Sequence, residues 1–288
     1  MTQSVIFIDS GSKAGMTKKD ILMKVKVIVL SGYGLNCEEE TKFAFALAGA
    51  SADIIHINDL MAKPKRLKVY QILAIPGGFS YGDDTGSGNA FANRLRNHLW
   101  SYLESFVKKD KLVIGICNGF QVLVNLGLLP ALRKNYGEKQ VALAPNDSAR
   151  YTVRWVDLQV VSKTPWLKNI KTISLPIAHG EGKFYTPLKT LKELKRKKLI
   201  VLKYIKGEIC NYQNLMANPN GSLENIAGIT DESGLILGLM PHPERAIFFH
   251  HLPNWPLLKE QYQRAGKKIP QFGPGLQIFK NAINYFND

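Results

Sequence analysis

The chain has 288 residues and a formal net charge of +15, from 38 lysines and arginines against 23 acidic residues. Hydrophobic residues make up 45% and charged residues 21% of the sequence, a composition typical of globular proteins. No apolar run approaches the roughly 18 residues that a membrane span needs, so we expect no membrane segment. The three cysteines form no Cys-x-x-Cys pair and are too few for a disulfide framework, which favours a reducing, cytoplasmic setting.

The positive charge does not by itself indicate nucleic acid. The densest basic run, residues 188–199, spaces its leucines nearly as one stripe of a helix and places the bases on the other face. Interleaved aromatic residues and zinc-finger spacings are absent, so no nucleic-acid partner is predicted. Docking to an acidic partner is a hypothesis from composition alone, and it predicts that association slows with added salt.

Residues 1–22 are rich in Ser, Gly, Thr and Lys and are predicted to form an N-terminal extension, with a misassigned start or a partner-binding arm as alternatives. The domain proper is predicted to span residues 23–288, because a strand-like run follows Met23. Hydrophobic spacing predicts helices at 38–48, 91–107 and 276–286 and strands at 25–30, 52–57, 71–75 and 112–116.

The alternation of strands and helices up to about residue 128 predicts a doubly wound α/β fold, with a mostly parallel central sheet and helices on both faces. In such folds ligands bind at the carboxyl ends of the strands. The second half is richer in strands and is predicted to add antiparallel ones, at 151–161, 171–177, 199–205, 226–230 and 235–240.

The stretch LVIGICNGFQ, residues 112–121, joins a strand to a helix. Gly115, Cys117 and Gly119 alternate there, which is the thiol form of the nucleophile elbow, because small residues let a sharp turn hold the nucleophile above the sheet. The following helix would point its positive end at the sulfur and favour the thiolate. On these residues alone, a buried structural cysteine beside a glycine turn is an equal alternative.

A glycine-rich loop, PGGFSYGDDTGSGN at residues 76–89, follows another strand and contains five glycines. Long loops inside compact domains are usually functional. A phosphate cradle and an oxyanion loop both remain open, although neither glycine signature of phosphate binding is present.

The strand at 235–240 ends in PHPER, where two prolines stiffen the backbone around His242 and Glu244. Residues two apart in an extended chain project to the same side, so Glu244 can fix the imidazole tautomer, with a surface pair as the alternative. Together with a cysteine and backbone N–H donors, this pair would support covalent acyl chemistry. The other histidines show no metal-ligand spacing, so no metal site is predicted.

These motifs resemble a known family. GICNGFQ with PHPER is similar to the class I, or triad, glutamine amidotransferases. SGYGLNCEEET, PGGFSYGDD, PIAHGEGKFY, NPNGS followed by IAGIT, and GLMPHPER together resemble the glutaminase subunits of phosphoribosylformylglycinamidine synthase, of purine biosynthesis. The resemblance implies the flavodoxin-like fold of these amidotransferases.

The resemblance also implies roles for individual residues. It implies Cys117 as the nucleophile and His242 and Glu244 as its triad partners. The backbone N–H groups of Gly78 and Asn118 are implied as the oxyanion hole. The residues that it implies for substrate binding are Gln121, His179, Gly182 and Phe184. His179 also forms a second His-x-Glu with Glu181, but without flanking prolines or a strand end before it.

The implied reaction is hydrolysis of L-glutamine through a γ-glutamyl thioester, which releases glutamate and ammonia. In this family the ammonia passes to a separate synthetase subunit that uses ATP and Mg, and the multi-protein form adds a small third subunit. This chain carries no ATP motif, so no cofactor is expected in it. The alternatives are a cysteine hydrolase of the same fold acting on another amide and a non-catalytic regulatory subunit.

Overall fold

The computed structural model describes residues 24–287. The predicted extension, residues 1–22, and the predicted domain start at Met23 lie outside these residues. The strands are β1 (Lys26–Ser31), β2 (Ser51–His56), β3 (Ile72–Ile75), β4 (Leu112–Ile116), β5 (Ala142–Pro145), β6 (Thr152–Val160), β7 (Thr172–His179), β8 (Glu181–Tyr185), β9 (Ile200–Ile205), β10 (Ile226–Thr230) and β11 (Ile236–Leu239). The helices are α1 (Glu38–Leu47), α2 (Ile57–Ala62), α3 (Asn89–Val107), α4 (Asn118–Leu126), α5 (Leu188–Arg196), α6 (Glu208–Tyr212), α7 (Trp255–Arg264) and α8 (Leu276–Asn284).

The central sheet combines a parallel and an antiparallel half. In the described part of the chain it has nine strands in the order β2-β1-β3-β4-β11-β10-β9-β6-β7. The first five are parallel to one another, which is the flavodoxin-like order with β11 as the fifth strand. β11 then pairs antiparallel with β10, and β9, β6 and β7 continue in the same way. The predicted doubly wound fold is confirmed, and its extra strands extend the same sheet.

The core lies on both faces of the parallel half. Every residue of β3, β4 and β11 is buried, and because side chains alternate between the faces of a strand, both faces must be covered. On one side α1 packs with α8, where the rings of Phe45 and Phe279 meet edge to face at 4.9 Å, and elsewhere α3 packs with α4. Among residues 24–287 no helix combines the length and apolarity needed to cross a bilayer.

Two local features differ from the prediction. The predicted strand at 52–57 ends one residue earlier, because Ile57 begins α2 and the His56 side chain accepts the Asn58 N–H at its start. The sequence did not predict β5 and β8, which pair as a small separate antiparallel sheet. Both are short, and β8 lies within the HGEGKF segment that was predicted to line a pocket.

Candidate active site

The turn between β4 and α4 has the geometry of the predicted elbow. Cys117 adopts φ 51° and ψ −107°, a conformation that L-residues rarely hold. A Cβ on Gly119 would lie 1.9 Å from the carbonyl oxygen of Ile75, and one on Gly115 would lie 2.5 Å from that of Gly119. The two glycines therefore give the strained turn the space that it needs. The Cys117 side chain is 5% exposed, just beyond the carboxyl end of β4.

His242 and Glu244 follow β11, the parallel neighbour of β4, so the carboxyl ends of the two strands bring them to Cys117. Nδ1 of His242 lies 2.5 Å from Oε1 of Glu244, and both side chains are buried. Within residues 24–287, Nε2 of His242 has no hydrogen-bond partner. Burial alone lowers the pKa of His242, but the charges of Glu244 and Cys117 outweigh it and raise the pKa well above its ordinary value.

The glycine-rich loop packs against this pair. A Cβ on Gly77 would lie 2.7 Å from Cε1 of His242. Gly78 has a φ of 145° and forms an isolated bridge with Leu35, whose Cα would lie 2.7 Å from any Cβ at Gly78. Within the described chain, neither the Gly78 N–H nor the Asn118 N–H has an acceptor in the protein. The two predicted oxyanion donors are thus unengaged, one beside the imidazole and one beside the nucleophile.

Gln121 lies one helical turn beyond Cys117 and is buried. Its Nε2 donates to the carbonyl oxygen of Glu181 at 2.7 Å, and its Oε1 accepts from Nδ2 of Asn118 at 3.0 Å. One N–H and one lone pair of the amide remain for a ligand. The substrate-binding role of Gln121 stays a prediction, and its contacts tie α4 to β8.

The remaining predicted binding residues are more deeply buried. His179 is held by Asn146, whose Oδ1 lies 3.1 Å from Nδ1, and its ring covers Gly182, where a Cβ would lie 2.5 Å away. Burial, with a smaller contribution from the charge of His242, lowers the pKa of His179 to about 4, so the ring is neutral at pH 7. Phe184 is 1% exposed within the hydrophobic core, as a packing side chain would be. The substrate roles of His179, Gly182 and Phe184 stay predictions.

A second thiol, which the sequence did not single out, lies behind the triad. Cys37 precedes α1, and Nη2 of Arg245 lies 3.0 Å from its Sγ and 3.0 Å from Oε1 of Glu40. Burial raises the pKa of the Cys37 thiol. The available signal was a cysteine placed directly before three glutamates at a predicted helix start.

Ligand atoms of Cys37, His242 and Glu244 lie within 4.8 Å of one another, which makes them the one candidate metal-binding group among residues 24–287. The short bond between Nδ1 and Oε1 already occupies the facing atoms of the histidine and the glutamate. This arrangement fits proton transfer better than metal ligation, because a metal would have to displace that bond.

An open groove of about 540 Å³ runs beside the His242–Glu244 pair. Its apolar lining includes Phe43 and Val153, whose residues are 50% and 70% exposed. Apolar surface of this kind at a protein's exterior often marks an interaction site.

A strained thiol elbow and a buried His–Glu pair on a flavodoxin-like sheet define a glutamine amidotransferase of the triad class. A family profile described as "CobB/CobQ-like glutamine amidotransferase domain" matches residues 24–286. The chain belongs to this family.

Individual relatives narrow the comparison. The chain is 51% identical over 266 residues to the phosphoribosylformylglycinamidine synthase subunit PurQ of Methanococcus maripaludis strain C7, a match that covers 91% of this chain and 97% of the relative. It is 42% identical over 268 residues to the protein of that name from Dehalococcoides mccartyi, with 92% and 98% covered. The solved structure of PurLQS from Thermotoga maritima contains a similar chain, with TM-score 0.66, 29% identity and coverage of 92% of this chain and 100% of that one.

Proposed function

We propose that the chain is the glutaminase subunit of phosphoribosylformylglycinamidine synthase in purine biosynthesis. It hydrolyses L-glutamine through a cysteinyl thioester and supplies ammonia to a separate ATP-dependent synthetase subunit. The observation that carries the chemistry is the meeting of Cys117 with the buried His242–Glu244 pair at the ends of neighbouring parallel strands. The relatives at 51% and 42% identity support the substrate and the pathway.

In the first half-reaction, Nε2 of His242 takes the proton from Cys117, and Sγ attacks the γ-carboxamide carbon of glutamine. The negative charge that develops on the carbonyl oxygen is stabilised by the N–H groups of Gly78 and Asn118. The imidazolium, oriented by Glu244, then donates its proton to the leaving nitrogen. The C–N bond breaks, ammonia leaves, and a γ-glutamyl thioester remains on Cys117.

In the second half-reaction, His242 takes a proton from water, and the hydroxide attacks the thioester carbon. The carbon–sulfur bond breaks, which releases glutamate and restores the thiolate–imidazolium pair. A nucleophile, a base and two oxyanion donors are sufficient for both halves, so the proposal includes no cofactor or metal in this chain. ATP and Mg belong to the synthetase subunit.

The synthetase is the partner that the relatives support, because the Thermotoga maritima structure is described as PurLQS. We include a small third subunit of the same complex as the finer part of the proposal. The apolar groove beside the triad supports a docked partner on that side of the molecule. The cytoplasm is the proposed compartment, since all three cysteines are free thiols.

The decisive experiment reconstitutes the complex with formylglycinamide ribonucleotide, ATP and Mg, and measures the amidine product with either glutamine or ammonium as the nitrogen source. Cys117→Ala should abolish product formation from glutamine and retain it from ammonium, because only the supply of ammonia is lost. Cys210→Ala, which removes a buried thiol in α6, is the matched control and should retain both. If Cys117→Ala still uses glutamine, the proposed mechanism is wrong.

A further inference from the structure

Two carboxylates meet beside the nucleophile without a cation. Oδ2 of Asp83 accepts from the Ser87 hydroxyl at 3.0 Å, and Oε2 of Glu181 accepts the Ser87 backbone N–H at 3.2 Å. Ser87 is 8% exposed, so it holds the two acids together in a largely buried position. Within residues 24–287, no lysine, arginine or histidine forms an ion pair with either carboxylate.

The two acids are linked directly to the predicted glutamine site. Nδ2 of Asn118, the residue after the nucleophile, donates to Oδ1 of Asp83 at 3.2 Å and to Oε1 of Gln121 at 3.0 Å. Gln121 in turn donates to the backbone carbonyl of Glu181 at 2.7 Å. One continuous network therefore joins Cys117's neighbour to both carboxylates.

A third acceptor at this place has no partner. Asn118 is fully buried, and its Oδ1 has no hydrogen-bond donor among the described residues. The orientation of this amide follows from its neighbours, because Nδ2 faces two acceptor oxygens. Two carboxylates and an unpaired amide oxygen require N–H donors and positive charge from a ligand.

We propose that Asp83 and Glu181 bind the α-ammonium group of glutamine, with Oδ1 of Asn118 as a third acceptor. An ammonium group offers three N–H donors and one positive charge, which matches the three acceptors and the unbalanced negative charge. This inference rests on the proposed glutaminase function and deepens it. It makes the two acids substrate-positioning residues that select for an α-amino acid.

The competing explanation is structural. Ser87 precedes α3, so the acids could simply stabilise the start of that helix, where negative charge is favourable. That role would affect the stability of the loop and the position of Asn118, but it would not distinguish substrates with and without an α-amino group.

The test uses the reconstituted complex with two substrates: glutamine, and 4-carbamoylbutanoate, which is glutamine without its α-amino group. For the wild type we expect a much higher kcat/KM with glutamine. Asp83→Asn and Glu181→Gln should each raise the KM for glutamine by about 10- to 100-fold with little change in kcat, because a charge-assisted hydrogen bond is lost. Their kcat/KM for 4-carbamoylbutanoate should stay near the wild-type value, so the preference for glutamine falls.

Asp84→Asn is the matched control, because Asp84 is the exposed neighbour of Asp83. It should keep the wild-type preference. An unchanged ratio of the two kcat/KM values in both Asp83→Asn and Glu181→Gln would overturn the inference and favour the structural role. Two separate variants guard against one misfolded protein, and ammonium-dependent synthesis reports an intact complex. A wild type that hydrolyses neither amide would instead contradict the proposed function.

Discussion

Nδ1 of His242 and Oε1 of Glu244 lie 2.5 Å apart, and neither side chain is more than 2% exposed. In this surrounding a carboxylate can stabilise an imidazolium strongly, because little water screens the two charges. The same contact fixes the tautomer, so Nε2 is the nitrogen that faces the chemistry. The pair was expected from PHPER alone, and the burial that makes it effective comes from the surrounding sheet and loop.

Glu244→Gln should lower the glutamine-dependent kcat/KM by about 10²- to 10⁴-fold, because an amide cannot stabilise the imidazolium. The measurement is product formation by the reconstituted complex with glutamine and with ammonium, and the ammonium reaction should be unaffected. His250→Ala, which truncates an exposed ring, is the control and should resemble the wild type. Normal glutamine turnover in Glu244→Gln would show that the contact is not catalytically required.

Iodoacetamide at neutral pH should modify Cys117 faster than the other two thiols. Cys37 and Cys210 are buried, and burial raises the pKa of both, so little thiolate is available at either. Mass spectrometry of labelled tryptic peptides should find the label at Cys117, and Cys37→Ala should label normally. Glutamine should protect Cys117. Labelling that glutamine does not slow would favour a different amide as substrate.

Gly119→Ala should destabilise the fold by about 3 kcal/mol or more, because the new Cβ would overlap the carbonyl oxygen of Ile75. Neither atom can move without disturbing the elbow or the end of β3. Gly180→Ala is the control, since the nearest atom to its Cβ would lie 3.8 Å away, and we expect a change of about 0.5 kcal/mol at most. Urea unfolding measures both. Equal stabilities would mean that the elbow relaxes freely.

The neutral state of His179 should appear in the pH dependence of stability. Its pKa is lowered to about 4, so its contribution is complete above the unfolded value of about 6.5 and is lost as pH falls towards 4. His179→Gln carries no such titration. Between pH 7.5 and pH 5 the wild type should therefore lose about 2 kcal/mol of unfolding free energy relative to His179→Gln. Parallel curves for the two proteins in urea titrations would contradict a buried neutral imidazole.

The apolar groove should contribute to binding of the synthetase subunit. Val153→Asp places a charge on an exposed groove residue and should weaken association by about tenfold or more, because the carboxylate would be desolvated in the interface. Leu188→Asp, at an equally exposed apolar position of α5 that does not line the groove, is the control. Titration calorimetry measures both. Equal affinities of the two variants would place the interface elsewhere.

Sequence patterns predicted the features that depend on neighbouring residues. The parallel half of the sheet follows from alternating strands and helices, and the elbow and PHPER follow from short-range backbone requirements. The position of β11 between β4 and β10 has no local signal. Contacts such as Arg245 with Cys37, 208 residues apart, or Ser87 with Glu181, 94 residues apart, arise only when the sheet assembles.

For the same reason the acid pair could not be predicted. Asp83 is an ordinary loop aspartate in sequence, and its partner lies on a short strand that the patterns did not reveal. Only the paired strands and the folded loop show that these acids face the end of the elbow.

The insertion of β11 between β4 and β10 has a consequence for folding during synthesis. A nascent chain that has not yet reached Ile236 carries the elbow and the glycine-rich loop, but β4 is still an open edge and no imidazole stands opposite the thiol. Unfinished or truncated chains are therefore chemically silent, and glutamine is spared until the strand that completes the sheet has also delivered the base.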